Sequence, residues 1–577
     1  MTVFMLGAGV MQMPALAIAR ELGWRVVAAD GNPEAPGAGL CDRFVAVDLK
    51  DRVGLFAAVR NLGVDAVFTA GTDFSANVAW LADRLGLPGH RPEAALAASD
   101  KLLMRSRFDA AGLPSPRFVE CAGVAAGLAA IGAVAQPTAG GAAGAQPTPA
   151  GAAGAQPTAG GAAGAQSTAG GAAVGTWAAA AGPPRLGFPL VVKPADNMGA
   201  RGCRLALNES DLERALEAAL PLSRSGRAII EEYIDGPEFS VDALVYDGRI
   251  EIRGFADRHI AFSPYFVELG HTLPSAIEAH IRDEVISTFE AGVRSLGLSQ
   301  GAAKGDMKWS AAKGHPMIGE IAARLSGGYM SGWTYPYASG IDLTRDALLL
   351  AAGLRPEKGR VDRQWHSAER AFISIPGRVA RIEGLREARN SPFIKDLFLR
   401  TEPGAGVVFP SNNVEKCGNL ISQAPDREGA VRGAEEAVRS ILIRLEAPNE
   451  ATSSFLRGEG RESGFGGAHW PPPAFALDAD LVAALHALPE GSLHPIDPEA
   501  AISVLAFPPA ESLGLRDWSG RSLADSARLA LERGGGYFAP AALSPILGRA
   551  FWEALVVGGV QAAIYVLDCL RKGVALP

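Results

Sequence analysis

Asp306, Glu320 and Arg324 are the residues of this chain whose types and spacing best suit chemistry. They lie in GAAKGDMKWSAAKGHPMIGEIAARLSGG, residues 301–328. Residues 302–309 and 317–321 read as two strands, with 310–316 as the turn between them. The turn centres on Lys313, which leaves each acid seven residues from its middle. In an antiparallel hairpin two such residues face each other, with Cβ atoms roughly 4.5–5.5 Å apart. Facing carboxylates repel, so the arrangement requires a compensating charge. Mg²⁺, or Mn²⁺ in its place, bound through carboxylate and phosphate oxygens would supply it. Lys308, on the same strand face as Asp306, would supply it too.

Other segments suit a nucleotide. LGFPLVVKP (186–194) is an apolar strand ending on Lys193, and a lysine there is costly without an anionic partner. The following loop carries Asn197, Gly199 and Gly202. Backbone N–H groups of such a loop can wrap phosphate oxygens while the lysine supplies charge, although a plain surface hairpin has the same signature. AIIEEYIDGPEFSVDALV (228–245) reads as strand, connector and alternating strand, with Glu231, Glu232 and then Glu238. That pattern suits an adenosine clamp or a charged turn. In YFVELGHTLPS (265–275), Glu268 and His271 interrupt an apolar run. They suit a substrate amine, or a strand-to-helix turn with His271 as a polar cap. Gly327 and Gly328 permit close backbone approach, and Trp333, Tyr335 and Tyr337 beyond them are pocket wall or core.

The elements that must position these residues follow from periodicity. Residues 2–100 alternate strand and helix, which predicts a parallel, Rossmann-like sheet covered on both faces. Gly7-Ala8-Gly9 and Asp30 form part of a dinucleotide fingerprint, but Gln12 stands at the third glycine place. Residues 122–182 contain QPTAGGAAGA repeated with a period of ten from Gln136, and are expected to be a disordered insertion without chemistry. A polar, glycine-rich linker is expected at 448–474, then a separate, mostly helical domain at 475–577.

The 577 residues, 48% of them hydrophobic, suffice for several domains. A net charge of −8 argues against nucleic acid as the main partner. The five cysteines are scattered, without zinc or disulfide spacing, which fits a reducing cytoplasm. The N-terminus lacks a basic leader and reads as strand and helix. Residues 551–570 are apolar but contain Glu553, Gln561 and Asp568, so a buried or amphipathic helix is expected rather than a membrane span.

Five segments now occur in a recognisable order: SDKLLMRSRFDAAGLPSPRF, FPLVVKPADNMGARG, IIEEYIDGPEFSVDAL, YFVELGHTLPS and GEIAARLSGG. With them, residues 1–447 resemble the ATP-grasp carboxylate–amine ligases. The nearest branch is that of L-amino acid ligases and of proteins like carbamoyl-phosphate synthase and carboxyaminoimidazole-ribonucleotide synthase. The resemblance implies α/β and α+β architecture: a Rossmann-like domain at 1–100, a two-subdomain ATP-grasp fold at 101–355 and a small C-terminal ligase subdomain at 366–447. It implies that Lys101 and Lys193 contact ATP phosphates under a flexible lid at 197–202. Glu231 and the main chain of Glu232 and Ile234 would face adenine, and Glu238 the ribose. Asp306 and Glu320 would hold Mg²⁺, and Arg324 the acyl phosphate. Glu268, His271, Arg324 and Gly327 would meet substrate. One departure stands out, since Ala322 takes the place of a metal-binding asparagine in the family's E-x-N-x-R pattern.

The implied activity is ATP-dependent ligation through an acyl phosphate on a small carboxylate or amino acid. Activation of bicarbonate as carboxyphosphate, or nucleotide binding with weak catalysis, are the rival readings. The expected partners are small-molecule carboxylate and amine substrates, with neither nucleic acid nor membrane; a homo-oligomer is left open.

Overall fold

The computed structural model describes residues 1–132, 186–356, 364–458, 483, 516–517, 520–534 and 549–575. The chain opens with β1 (Thr2–Leu6), β2 (Arg25–Asp30), β3 (Arg43–Ala46) and β4 (Ala66–Phe68). They form the expected parallel sheet, in the order β3-β2-β1-β4. Helices Met13–Glu21, Arg52–Val59 and Ser75–Leu85 cover its two faces. β1, β2 and β4 are buried on both faces, which explains why they read as continuous apolar runs.

The next sheet is antiparallel. It comprises β5 (Phe118–Cys121), β6 (Leu190–Pro194), β7 (Arg204–Ala206) and β8 (Ala228–Glu232), in the order β5-β8-β6-β7. The insertion expected at 122–182 begins later than its composition suggests. Val124–Gly132 forms a helix whose Ile131 is buried in this sheet's core. Gly127 permits the contact, because a Cβ there would stand 2.6 Å from Leu216. Alanine and glycine are sparse in apolar area, but they let a helix approach closely. The repeat from Gln136 onward lies outside the described residues.

The remaining strands are β9 (Glu238–Tyr246), β10 (Arg249–Ala261), β11 (Val267–Leu273), β12 (Gly301–Ser310), β13 (His315–Ala322), β14 (His366–Phe372), β15 (Gly377–Glu383), β16 (Ile394–Leu399), β17 (Gly406–Val407), β18 (Gly418–Ala424) and β19 (Leu442–Leu445). Eight of them make one sheet, ordered β13-β12-β9-β10-β11-β14-β18-β16, and a small sheet is ordered β17-β15-β19. The larger sheet crosses the boundary expected between 355 and 366, because β11 pairs antiparallel with β14. The region expected as a C-terminal subdomain therefore shares hydrogen bonds with the strand that carries Glu268 and His271.

Two expectations at the C-terminal end need correction. Within the expected linker, Glu450–Arg457 is a helix with Phe455 buried. The described part of 475–577 is not a separate unit. Helix Arg549–Lys572, whose path leaves helical geometry at Gly558 and Gly559, packs into the core of the C-terminal sheets. It is long and apolar enough to cross a membrane, but 83% of its most apolar window is buried against protein. Its polar groups are met there. Gln561 Oε1 accepts from the Ile375 N–H at 3.0 Å, Gln561 Nε2 donates to the Ile443 carbonyl at 2.8 Å, and Asp568 Oδ2 takes Arg444 Nε at 2.7 Å.

Candidate active site

Asp306 and Glu320 face each other across β12 and β13, as their spacing predicts. The turn, however, centres between Ala312 and Lys313, since Ser310 pairs with His315 and Lys308 with Met317. Gly319 makes up the difference as an extra residue in β13, a β-bulge that restores the acidic pair. A Cβ at Gly319 would stand 2.7 Å from the Asp306 carbonyl oxygen, so the bulge requires glycine.

Lys308 does not neutralise this pair. Its Nζ lies 2.8 Å from Glu238 and 2.7 Å from the Ile234 carbonyl. Asp306 is held by Lys304 and by Arg258 at 3.3 Å, and Glu320 has Lys101 at 3.6 Å. Burial alone would raise both carboxyls. Arg258 and Lys304 at Asp306, and Lys101 at Glu320, outweigh it and hold both below their ordinary values.

The nucleotide side departs from expectation at Glu231. Its carboxylate is buried and accepts from Arg105 Nε at 2.7 Å and Lys193 Nζ at 2.6 Å. It holds the lysine rather than facing an adenine edge. Burial would raise this carboxyl, but Arg105 and Lys193 pull it down to about 2. Burial would lower Lys193 in turn, but the Glu231 charge outweighs it and raises the lysine. Glu232 lies 3.0 Å from Lys313 and 3.5 Å from Arg117, and its N–H donates to the Arg117 carbonyl at 3.0 Å. Glu238 takes Lys308 and, at 3.1 Å, Arg258. Lys101 opens the helix Lys101–Ala110, and its Nζ donates to the Asn197 carbonyl at 2.7 Å. In the lid loop, Gly199 and Gly202 have φ of 68° and 71°, a region that favours glycine. The Asn197 side chain donates to the Leu222 carbonyl at 2.9 Å.

Glu268 and His271 both lie within β11, so the turn reading of this segment falls. Three positions apart on a regular strand, they would face opposite ways. An irregularity in the β10 pairing, with Gly270 at φ 157°, brings them together at 3.6 Å. His271 Nδ1 sits 2.9 Å from Glu369 Oε2, and Glu268 accepts from Arg258 Nε at 2.8 Å. Burial would raise the Glu268 carboxyl, yet His271 and Arg258 hold it well below its ordinary value. Arg258 thus gathers Glu238, Glu268 and Asp306. Gly328 lies against the pair: a Cβ there would be 2.9 Å from Glu268 Oε1 and 3.2 Å from His271.

Arg324 donates to the Leu325 carbonyl at 2.8 Å and makes no ion pair among the described residues. Gly327 meets Gly71, whose Cβ would stand 3.3 Å from the Gly327 Cα. Beside it opens a cleft of about 490 Å³, bounded by Gly9, Gln12, Thr72, Tyr329, Phe398 and Arg400. Trp333 packs edge-on against Tyr329 and Phe398 behind this cleft, whereas Tyr335 is buried core with its hydroxyl 2.9 Å from Asp242. The glycine turn of the first sheet satisfies its own amides: Ala8 N–H donates to Asp30 at 2.8 Å and Gly9 N–H to Gln12 at 3.0 Å. Gln12 at the third glycine place thus occupies the turn that a dinucleotide would need.

Some of these residues carry a sequence signal that spacing alone could have found. Lys304 alternates with Asp306 along one strand face, and Arg105 follows Lys101 by one helical turn. Arg258 and Glu369 come from other strands, and nothing local marks them. The donor set suits magnesium and nucleotide phosphates. Two carboxylates offer hard oxygens, and lysines 101, 193 and 304 surround them. Among the described residues no group of three or more His, Cys, Asp or Glu is gathered to hold a metal.

Comparison with known proteins bears on the domains and the fold. The family model of the ATP-grasp domain matches residues 186–332, and that of the L-amino acid ligase C-terminal domain 2 matches 371–446. Carnosine synthase 1 of Gallus gallus is 28% identical over 437 residues, 70% of this chain and 42% of that protein. An uncharacterized protein, y4rH, of Sinorhizobium fredii is 24% identical over 260 residues, 44% of this chain and 53% of that one. The chain thus spans about half, or less, of the length of these curated relatives. The crystal structure of L-amino acid ligase from Bacillus licheniformis superposes with a TM-score of 0.60 at 19% identity, covering 77% of this chain and 98% of that one. This chain carries an ATP-grasp domain followed by a C-terminal domain of the L-amino acid ligase type, and it has the ATP-grasp fold.

Proposed function

We propose that this ATP-grasp protein is an ATP-dependent carboxylate–amine ligase that activates a small carboxylate or amino acid as an acyl phosphate. The observation that carries the reading is the facing pair Asp306 and Glu320, set among Lys101, Lys304 and Arg258. Mg²⁺ held by the two acids would screen the phosphate oxygens. Lys101 and Lys193 would hold the phosphates, with Glu231 meeting both Lys193 and Arg105. Arg324, which has no acidic partner among the described residues, is left to meet the acyl phosphate. A substrate carboxylate oxygen attacks the γ-phosphorus of ATP and ADP leaves. The amine nitrogen then attacks the acyl carbon, phosphate leaves, and the nitrogen loses a proton. Positioning and charge do most of this work. Glu268 and His271, with Gly328 against them, line the approach of the amine. The cleft beside Tyr329 offers room for the rest of a substrate. Ala322 has no side-chain oxygen, so water would complete the metal shell at that place. A C-terminal domain of L-amino acid ligase type, and a relative named a carnosine synthase, support amino acids as the first substrate pool to test.

The test is Mg²⁺-dependent ADP release with pooled amino acids, small carboxylates or bicarbonate, comparing wild type with Glu320→Gln. Release is expected to require the amino-acid or carboxylate pool. It should fall by roughly 10²-fold or more in the variant, because a metal contributes several kcal/mol to such a transition state. Near-normal turnover in Glu320→Gln would overturn the metal assignment, and release needing only bicarbonate would replace the substrate class.

A further inference from the structure

The loop Ser411–Lys416, between β17 and β18, belongs to the C-terminal domain, yet it reaches both halves of the site. Asn413 alone makes three contacts there. Its N–H donates to the Gly199 carbonyl of the lid at 3.0 Å, and its Oδ1 accepts from the Glu268 N–H at 2.8 Å. Its carbonyl accepts from Arg400, at the rim of the cleft, at 3.2 Å. Neighbours reinforce the link. Lys416 Nζ donates to the Glu268 carbonyl at 2.8 Å, and Arg204, just past the lid, donates to the Ser411 carbonyl at 3.4 Å. The loop is knit internally, with the Ser411 N–H on Glu415 at 2.7 Å and the Val414 N–H on Asn412 at 3.0 Å. The lid is shaped to be held. Gly199 and Ala200 are both left-handed, at φ 68° and 60°. An alanine in that region is uncommon and persists where its surroundings enforce it.

We propose that Asn413 is a positioning residue that clasps the phosphate lid to the strand carrying Glu268, so that the acyl phosphate meets amine rather than water. This rests on the ligase reading above. The acyl phosphate has two fates. Attack by the amine gives amide and phosphate; attack by water gives back the carboxylate with phosphate, and the ATP is spent without product. A lid registered against β11 closes the reacting carbon from solvent while leaving the Glu268 and His271 side open. The clasp belongs to the C-terminal domain, so that domain takes part in coupling.

Two readouts test this on the full-length protein. One is the ratio of amide product to ADP with the amino-acid pool. The other is the rate of trypsin cleavage after Arg201 with Mg²⁺ and a non-hydrolysable ATP analogue. Asn413→Ala should lower the ratio, and speed the cleavage, by about fivefold, the factor that loss of one ordinary hydrogen bond gives. Asn413→Asp keeps an acceptor for the Glu268 N–H and should restore most of both. Asn413→Ser, too short to reach that N–H, repeats the test should the alanine variant fold poorly. An alanine or serine variant with wild-type ratio and wild-type cleavage overturns the proposal. The cleavage readout needs no turnover, so it decides the clasp even if the wild-type protein forms no product, an outcome that would count against the ligase reading instead.

Discussion

Lys193 keeps its charge inside the protein because the Glu231 carboxylate lies 2.6 Å away. Arg105 and Glu231 are each 1% exposed, so their ion pair lies out of water, and Lys193, 23% exposed, meets the same carboxylate from its edge. Removing one partner from such a set leaves an uncompensated buried charge, typically about 3–5 kcal/mol of lost stability. Glu231→Gln should therefore lower the melting temperature strongly at neutral pH. The pH dependence follows from the depressed carboxyl. Its folded value is about 2, against roughly 4.3 in an unfolded chain. The stabilisation is complete above the unfolded value and is lost as pH falls towards the folded one. Wild-type melting should fall across that acid window more steeply than that of Glu231→Gln. Parallel pH profiles would show that the pair contributes little. The sequence showed that Lys193 needs an anion; it did not show that the anion is Glu231, on the neighbouring strand β8.

At the scale of the element, the hairpin depends on Gly319. Without the bulge, the regular pairing that starts at Ser310 and His315 would continue and place Asp306 opposite residue 319. A shift of one residue turns every following side chain to the other face of the strand. Gly319→Ala is predicted to abolish Mg²⁺-dependent ADP release by turning Glu320 away from Asp306, while the far end of the hairpin stays paired. Near-normal release in this variant would show that the bulge does not set the register. The facing pair was legible in the sequence because it needs only a turn and a period of two. The bulge was not, because a symmetric turn and a bulged one leave nearly the same pattern. Likewise, Glu268 and His271 were legible as a polar interruption of an apolar run. Their side-by-side placement depends on Gly270, where a Cβ would stand 1.9 Å from the Glu369 carbonyl oxygen of the neighbouring strand.

At the scale of the molecule, the helix Arg549–Lys572 is part of the core it closes. Phe551, Tyr565 and Val566 are buried, and Arg444 is held by Asp568. A chain ending at residue 548 would expose this apolar face and leave Arg444 short of a partner in its interior. It is predicted to be insoluble, or to melt well below the full chain, by thermal denaturation of purified protein. A soluble truncation with unchanged melting would show the helix to be an appendage. The same integration joins the C-terminal domain to the site. β14 brings Glu369 to His271, and the loop at 411–416 brings Asn413 to Glu268 and the lid.

Local sequence suffices for the parallel N-terminal sheet, the strand that carries Lys193 near its end and the facing of Asp306 and Glu320. Each of these follows from periodicity, turn residues and local burial, which act over a few residues. Tertiary structure alone decided which cation neutralises which acid, that Glu231 serves Lys193 and Arg105, and that the last helix completes a core instead of forming its own. Those outcomes depend on what lies opposite a side chain once distant segments meet. Lys304 and Lys308 have the same composition and the same strand face, yet one meets Asp306 and the other Glu238 because the next strand places Glu238 beside Lys308.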